Sequence, residues 1–335
     1  MKKVTVLCLT LSVMFIFLAA NTGFAQTKTL TIKFSSPFVA SDSRTMSYQY
    51  WGDIINKETN GRVKVTVYPG ASLIPLKDHY TSISTGSVGA GLMISSFLDP
   101  VIPELVVTSL QGTIPVSSPD DVPKVEKGIK PILTRIMEKH NIKYLFGTYE
   151  GEMVFIIRKG KNPILKLEDL RGLIIRDPAK YQGLFLRKLG ASTMTLDTGQ
   201  IVPALSYGTV DGASFNWTTA LTLKAADVAP SMTYLGVYVT WVFSGMNLDM
   251  FKSLSKADQD VLMRATEKAT DYSVQLGRKE RDAFFANPGG FKIYRLPEQE
   301  QQKLVRTMNE VKDEALKTAP PSGKELAAVL EKLAK

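Results

Sequence analysis

The sequence predicts an α/β fold, and three observations lead to it. Short runs rich in β-branched residues alternate with longer amphipathic segments from residue 29 to residue 333, the pattern of a largely parallel sheet covered by helices. A length of 335 residues, with 44% hydrophobic and 22% charged content, suits two ordinary globular domains or one large one. No Gly/Ser-rich linker, low-complexity tract or internal repeat divides the chain. Two lobes would therefore share crossing strands and one long helix, with no flexible tether between them.

The first 25 residues stand apart. Lys2 and Lys3 precede an apolar run over 4–20, and Gly23-Phe24-Ala25 follows with small residues where a signal peptidase needs them. This predicts a secretory leader removed near Ala25 and a periplasmic destination. Cys8 is the one cysteine of the chain. It sits near the start of the apolar run and not behind a small residue at its end, which argues against lipidation. The remaining chain has no cysteine, hence no disulfide, thiolate nucleophile or Cys-ligated metal. The net charge of +9 is scattered, with no basic run interleaved with aromatics, so nucleic acid is not an expected partner.

Taken in order, 29–34 alternates as a strand and 35–43 is a polar loop around Pro37. A helix over 45–59 places Met46, Tyr50, Ile54 and Ile55 on one face and stops at Asn60-Gly61; 63–68 is a second strand. The 35–43 loop thus lies at a strand's carboxyl end, where open α/β sheets bind ligands. A helix over 76–85 and a buried strand over 90–94 lead to the loop Ser95-Ser96-Phe97. Residues 100–122 are irregular; 123–140 is a helix, kinked or interrupted near Pro131. Strands follow at 142–149 and 154–158, then a helical turn at 167–170 and a strand at 173–176 ended by Pro178. Helix 180–189, strand 191–196, helix 198–207 and strand 210–215 continue the alternation. Residues 234–243 read as one aromatic strand that crosses between lobes. Ser255-Lys256-Ala257-Asp258 starts a helix of about 30 residues reaching Phe285. A strand at 292–295 and helices at 297–317 and 323–333 complete the chain.

Motifs for chemistry are missing. There is no G-x-S-x-G, H-E-x-x-H, G-x-x-x-x-G-K-[ST] or strand-borne G-x-G-x-x-G. His79 and His140 read as surface or helix-end residues, and the pairs Asp120/Asp121 and Glu150/Glu152 as solvated loop carboxylates. Arg176 differs in its setting. Apolar residues precede it and Asp177-Pro178 ends its strand, so its guanidinium should emerge at a strand's carboxyl end. Its planar fork matches a carboxylate with two parallel hydrogen bonds. An internal ion pair with Asp177 or another acid is the alternative.

At four places the sequence resembles one family. These are KETNGRVKVTVYPGASL, LEDLRGLIIRDP, LGASTMTLDTGQIVPALSYGTVDG and FKSLSKADQDVL, in that order behind a leader. The chain resembles the solute-binding proteins of tripartite ATP-independent periplasmic (TRAP) transporters, of the DctP type. The resemblance covers essentially the whole chain after the leader. It implies a two-lobed periplasmic-binding-protein-like α/β fold that closes over a small organic acid and delivers it to TRAP permease subunits, without catalysis or cofactor. It puts the family's carboxylate-binding arginine at Arg176. The chain departs from the family where a second arginine is common: Met153 stands there. It departs again after Val-Asp-Gly, where Ser214 and Phe215 replace a Glu and an Asn, with Asn216 one position on.

The expected ligand is thus a monocarboxylate with an apolar or aromatic body, held by Arg176, Met153, Phe215, Asn216 and Trp217. Phe38, Ser96, Tyr181 and Trp241 join them from strand-end loops and the crossing strand. Residues 26–150 with about 236–265 would form one lobe and 151–235 the other. Residues 255–285 would be a hinge or spine helix, and 286–335 a C-terminal strand and helices packed on the lobes of a monomer. A ligand sensor presenting its closed form to a membrane receptor is the other binding-protein reading; an exported α/β enzyme is a third.

Overall fold

The computed structural model describes residues 29–335; the predicted leader and Cys8 lie outside the described residues. In chain order the elements begin with β1 (Leu30–Ser35), α1 (Ser43–Glu58), β2 (Val63–Tyr68), α2 (His79–Ser84), β3 (Ala90–Ile94), α3 (Ser95–Leu98), α4 (Val122–Glu138) and β4 (Ile142–Thr148). Then come β5 (Glu152–Ile157), β6 (Ile174–Asp177), α5 (Lys180–Lys188), β7 (Ser192–Thr195), α6 (Ile201–Tyr207), β8 (Gly212–Asn216), α7 (Trp217–Thr222) and β9 (Ser231–Tyr238). The chain ends with β10 (Val242–Asn247), α8 (Leu248–Lys252), α9 (Lys256–Ala286), β11 (Lys292–Arg295), α10 (Glu298–Thr318) and α11 (Pro321–Leu333).

The strands form two sheets. One runs β2-β1-β3-β10-β4, the other β11-β9-β5-β8-β6-β7. Three stretches cross between them: 149–151, 239–241, and the run through α8 and α9 from β10 to β11. The crossings explain why the sheets are mixed where alternation predicted mostly parallel pairing. β1 is parallel to β2 and β3, and β6 to β7 and β8. β5 and β10, each entering its sheet directly from a crossing, run antiparallel to both neighbours.

Three local expectations need correction. The stretch 234–243 is not one strand; β9 ends at Tyr238 and β10 starts at Val242 in the other sheet. Between them the Trp241 N–H donates to Thr108 O at 2.8 Å, and Trp241 O accepts from the Ser95 N–H at 3.0 Å. The backbone thus leaves one ladder and is satisfied by Ser95 at the start of α3 and by Thr108 before joining the next. In α1 the buried face is Tyr48, Trp51 and Ile55, and Tyr50 is 37% exposed. Tyr48 wins the core place because its ring stacks on Phe34 at 4.5 Å. Helix α4 runs through Pro131 unbroken, which removes the interruption, though not the kink, expected there.

The long helix α9 starts as its sequence dictates: the Ser255 hydroxyl accepts from the Asp258 N–H at 3.1 Å. Its 31 residues extend over roughly 46 Å. Near its start Leu262 O accepts from Trp51 Nε1 at 3.4 Å in the first lobe. Near its end Phe284 stacks on Trp217 of the second lobe at 4.5 Å. No helix of the described residues is long and apolar enough to cross a membrane.

Candidate functional site

A cleft of about 540 Å³ opens between the two sheets, a size that suits a small organic ligand. The first lobe contributes Phe38 from the loop after β1 and Ser96 and Phe97 from α3. The second contributes Arg176 at the end of β6, Gln182 from α5, and Phe215 and Asn216 at the end of β8. The crossings contribute Glu150, Val239 and Thr240. The walls are therefore strand ends and crossings together with the loops and helices that follow strands.

Arg176 is 2% exposed and lines this cleft. Its Nε donates to Leu196 O at 2.9 Å and Nη1 to Ser214 O at 3.5 Å. Among the described residues it forms no ion pair, with Asp177 or any other acid; Asp177 instead accepts from the Thr195 hydroxyl at 2.9 Å. Burial holds its pKa down at about 10, opposed by the charges of Asp177 and Asp197, so at neutral pH it stays a cation. A buried cation without a counter-charge is unfavourable, and this one borders an open cleft. The arrangement suits an incoming anion.

Behind the opposite wall lies a network that sequence reasoning missed. Arg44 is 1% exposed. Its Nε and Nη2 fork onto Asp42 at 2.8 and 2.6 Å, and Nη1 donates to Glu150 Oε2 at 2.6 Å. Its guanidinium lies 3.5 Å from the Phe38 ring centre. Glu150 Oε1 accepts from Asn216 Nδ2 at 2.6 Å, and Asn216 Oδ1 accepts from the Thr218 hydroxyl and the Thr219 N–H, both at 2.8 Å. The network thus ties α1 of one lobe to the end of β8 in the other, through a crossing carboxylate. Burial pushes the Glu150 carboxyl up, and Arg44 opposes that rise.

The reading of Glu150 and Glu152 as solvated carboxylates is therefore overturned. Glu152 is fully buried, accepting from Trp217 Nε1 at 2.7 Å, the Tyr149 hydroxyl at 2.8 Å and Arg281 Nε at 3.2 Å. Gly151 between them has φ +81°, which lets the chain turn so that Glu150 reaches the buried Arg44 and Glu152 the half-buried Arg281. His79 is buried too, its ring nitrogens bonded to Ser35 Oγ at 3.0 Å and Leu92 O at 2.6 Å.

Of the residues expected at the site, Arg176, Phe38, Ser96, Phe215 and Asn216 line the cleft. The expectation fails for Met153, Trp217, Trp241 and Tyr181. Met153 sits in β5, whose sheet is covered on both faces, and packs in the second-lobe core with Phe155 and Phe185. Trp217 is held between Glu152 and Phe284. Trp241 fills the space above Gly147 and donates to the Tyr144 hydroxyl at 3.1 Å. Tyr181 packs against the second-lobe core, while its neighbour Gln182 reaches the cleft, since one helical residue turns the side chain by about 100°. Among the described residues no other guanidinium lines the cleft, and besides Arg176 its wall carries one cation, the exposed Lys77. The wall is apolar through Phe38, Ile94, Phe97, Phe215 and Val239, not through Met153 and Trp217.

Comparison with known proteins agrees with this architecture. The family model for bacterial extracellular solute-binding protein, family 7 (DctP), matches residues 34–318. A solute-binding protein of Albidiferax ferrireducens is 24% identical over 274 residues, 78% of this chain and 80% of that protein. The sialic acid-binding periplasmic protein SiaP of Vibrio cholerae is 24% identical over 294 residues, 86% of this chain and 87% of SiaP. A TRAP periplasmic solute-binding protein from a Sulfitobacter species, solved with bound β-D-galacturonate, superposes with a TM-score of 0.82 at 17% identity. That superposition covers 90% of this chain and 99% of the other. The chain belongs to family 7 of the bacterial extracellular solute-binding proteins, the DctP family of TRAP-transporter receptors.

Proposed function

We propose that this receptor captures a small monocarboxylate with an apolar or aromatic body and passes it to an ion-gradient-driven TRAP permease. The observation that carries the reading is Arg176, a buried cation without an acid partner at the wall of a two-lobed cleft. A carboxylate on its fork would form charge-assisted bonds worth about 1.5–3 kcal/mol each. The apolar wall around it accepts a hydrocarbon or aromatic body. The single further cation among the described lining residues, exposed Lys77, offers a second carboxylate little compensation once the cleft is dry. SiaP and the Sulfitobacter protein, named or solved with acidic sugars, support an acid as ligand without fixing which one. Contacts from both lobes would favour the closed form alone, so binding shifts the population toward the state a permease recognises. The working location is the periplasm, as a monomer, after loss of the leader.

A thermal-shift screen of the chain without residues 1–25 against organic acids tests the reading. At a hundred times its Kd a carboxylate should stabilise the protein by about 2.7 kcal/mol, and Arg176→Ala should abolish the shift. Equal shifts in both proteins would make Arg176 structural. Tighter binding of succinate than of monocarboxylates would reject the single-charge ligand.

A further inference from the structure

We infer that the ligand of this cleft is a zwitterion, with its carboxylate on Arg176 and a cationic N–H group received by Glu150 and Gln182. The inference rests on the carboxylate reading of Arg176 and specifies the other end of the molecule. It starts from a charge imbalance. Asp42 and Glu150 share one guanidinium, and Arg44 commits two of its three bonds to Asp42. Glu150 keeps one N–H from that shared cation and one from the neutral Asn216 amide. Two carboxylates against one guanidinium leave a buried negative charge uncompensated, on a residue that lines the cleft. Glu280 of α9, accepting from the Ser43 hydroxyl at 2.7 Å, adds a further carboxylate on the same side.

Gln182 gives independent support. It is 1% exposed and lines the same cleft, and its Oε1 has no hydrogen-bond partner. Its Nε2 reaches Ser109 O only at 3.5 Å. A buried acceptor left unpaired is unfavourable, and a ligand donor removes that penalty. Each oxygen of Glu150 accepts one bond and can accept another. The cleft thus offers a guanidinium at Arg176 that bonds only backbone carbonyls and has no acid partner among the described residues, and spare acceptor capacity at Glu150 and Gln182.

Closure makes the two poles matter together. As water leaves, a charge without a counter-charge becomes harder to hold. A plain anion would neutralise Arg176 and leave Glu150 uncompensated in a drier site; a dicarboxylate would add repulsion. A zwitterion neutralises both. Phe38, Phe215 and Val239 on the wall favour an apolar body, so the chemistry points to an apolar or aromatic amino acid.

Calorimetry with matched pairs tests this: leucine against isocaproate, and phenylalanine against hydrocinnamate, with succinate and phenethylamine as single-charge-type controls. The expected result is that an amino acid binds about tenfold or more tightly than its partner lacking the amine. Gln182→Met, close in shape but without the acceptor, should weaken amino-acid binding by about tenfold while the unfolding midpoint of the free protein stays level or rises, since the unpaired acceptor is removed. Glu150→Gln should collapse the preference for the amine; if it fails to fold, Gln182→Met carries the test. Equal or tighter binding of the des-amino acids overturns the inference and leaves the carboxylate reading standing. Binding of phenethylamine but of no carboxylate overturns both. A panel in which no zwitterion binds also overturns the inference, whatever plain acids do.

Discussion

Arg44→Met should be the most damaging single change near the cleft, although Arg44 does not line it. The substitution keeps most of the volume and removes three charge-assisted bonds of 2.6–2.8 Å to Asp42 and Glu150. Each such bond is worth roughly 1.5–3 kcal/mol where both partners remain. Stranded carboxyls recover part of the loss by protonating, so the net effect of breaking a buried ion pair is about 3–5 kcal/mol. Loss of the stack on Phe38 adds about 0.5–1 kcal/mol. Urea unfolding near pH 8 should therefore show a loss of about 4 kcal/mol. Burial pushes the Glu150 carboxyl up and Arg44 opposes that rise, so without Arg44 the Glu150 pKa stands further above its unfolded value. Such groups contribute stability below the unfolded pKa and lose it as pH rises through the folded one. The gap between variant and wild type should accordingly narrow to about 1–2 kcal/mol near pH 4.5. A double variant with Glu150→Gln should be more stable than Arg44→Met alone near pH 8. A loss under about 1 kcal/mol, or one of the same size at both pH values, would refute the view that Arg44 neutralises these acids.

Three other outcomes follow from the same geometry. Met153→Ala should cost about 2–5 kcal/mol of stability while changing ligand affinity less than about threefold, since Met153 packs in the core; calorimetry beside chemical unfolding separates the two. Burial pushes the Asp99 carboxyl up to about 6, opposed by the Ser109 hydroxyl, so its contribution is present below the unfolded value and fades as pH rises through about 6. Asp99→Asn should therefore be near neutral at about pH 4 and stabilising by about 1–3 kcal/mol at about pH 8, measured as the pH dependence of the unfolding midpoint. Gly151→Ala should cost about 1–3 kcal/mol, because φ is +81° and the added Cβ would lie 3.0 Å from Thr218 Cγ2 and Trp217 Nε1; the wild-type unfolding curve is the control.

The elements with local signatures were legible in the sequence. Ser255 and Asp258 announce the start of α9, alternation announces β1 and β2, and the run into Arg176-Asp177-Pro178 places a guanidinium at a strand end. What stayed hidden depends on partners far apart in sequence. Glu150 meets Arg44 across 106 residues and Asn216 across 66, and no local pattern distinguishes a loop carboxylate that will be buried by such partners from a solvated one. Trp217 and Trp241 looked suited to a pocket for the reason that makes them good core residues: a large ring with one donor that finds Glu152 or Tyr144. Gln182 was missed by one position, because the phase of a short helix cannot be read from nine residues that mix apolar and polar types.

The three crossings carry a kinematic consequence. One covalent link between two bodies permits rotation about any axis, whereas parallel links close together leave one easy axis. Here the first two crossings are pinned to each other, since the Tyr238 hydroxyl accepts from the Glu150 N–H at 2.7 Å and donates to Thr148 O at 3.2 Å. The third is braced against the first where Arg281 of α9 meets Glu152. Opening and closing should then follow a single coordinate, like a door on two close-set pins with a strut behind. One distance between two labels, one on each lobe, would report the whole motion. Because residues 29–335 contain no cysteine, a pair of introduced thiols could carry those labels without competition from native ones.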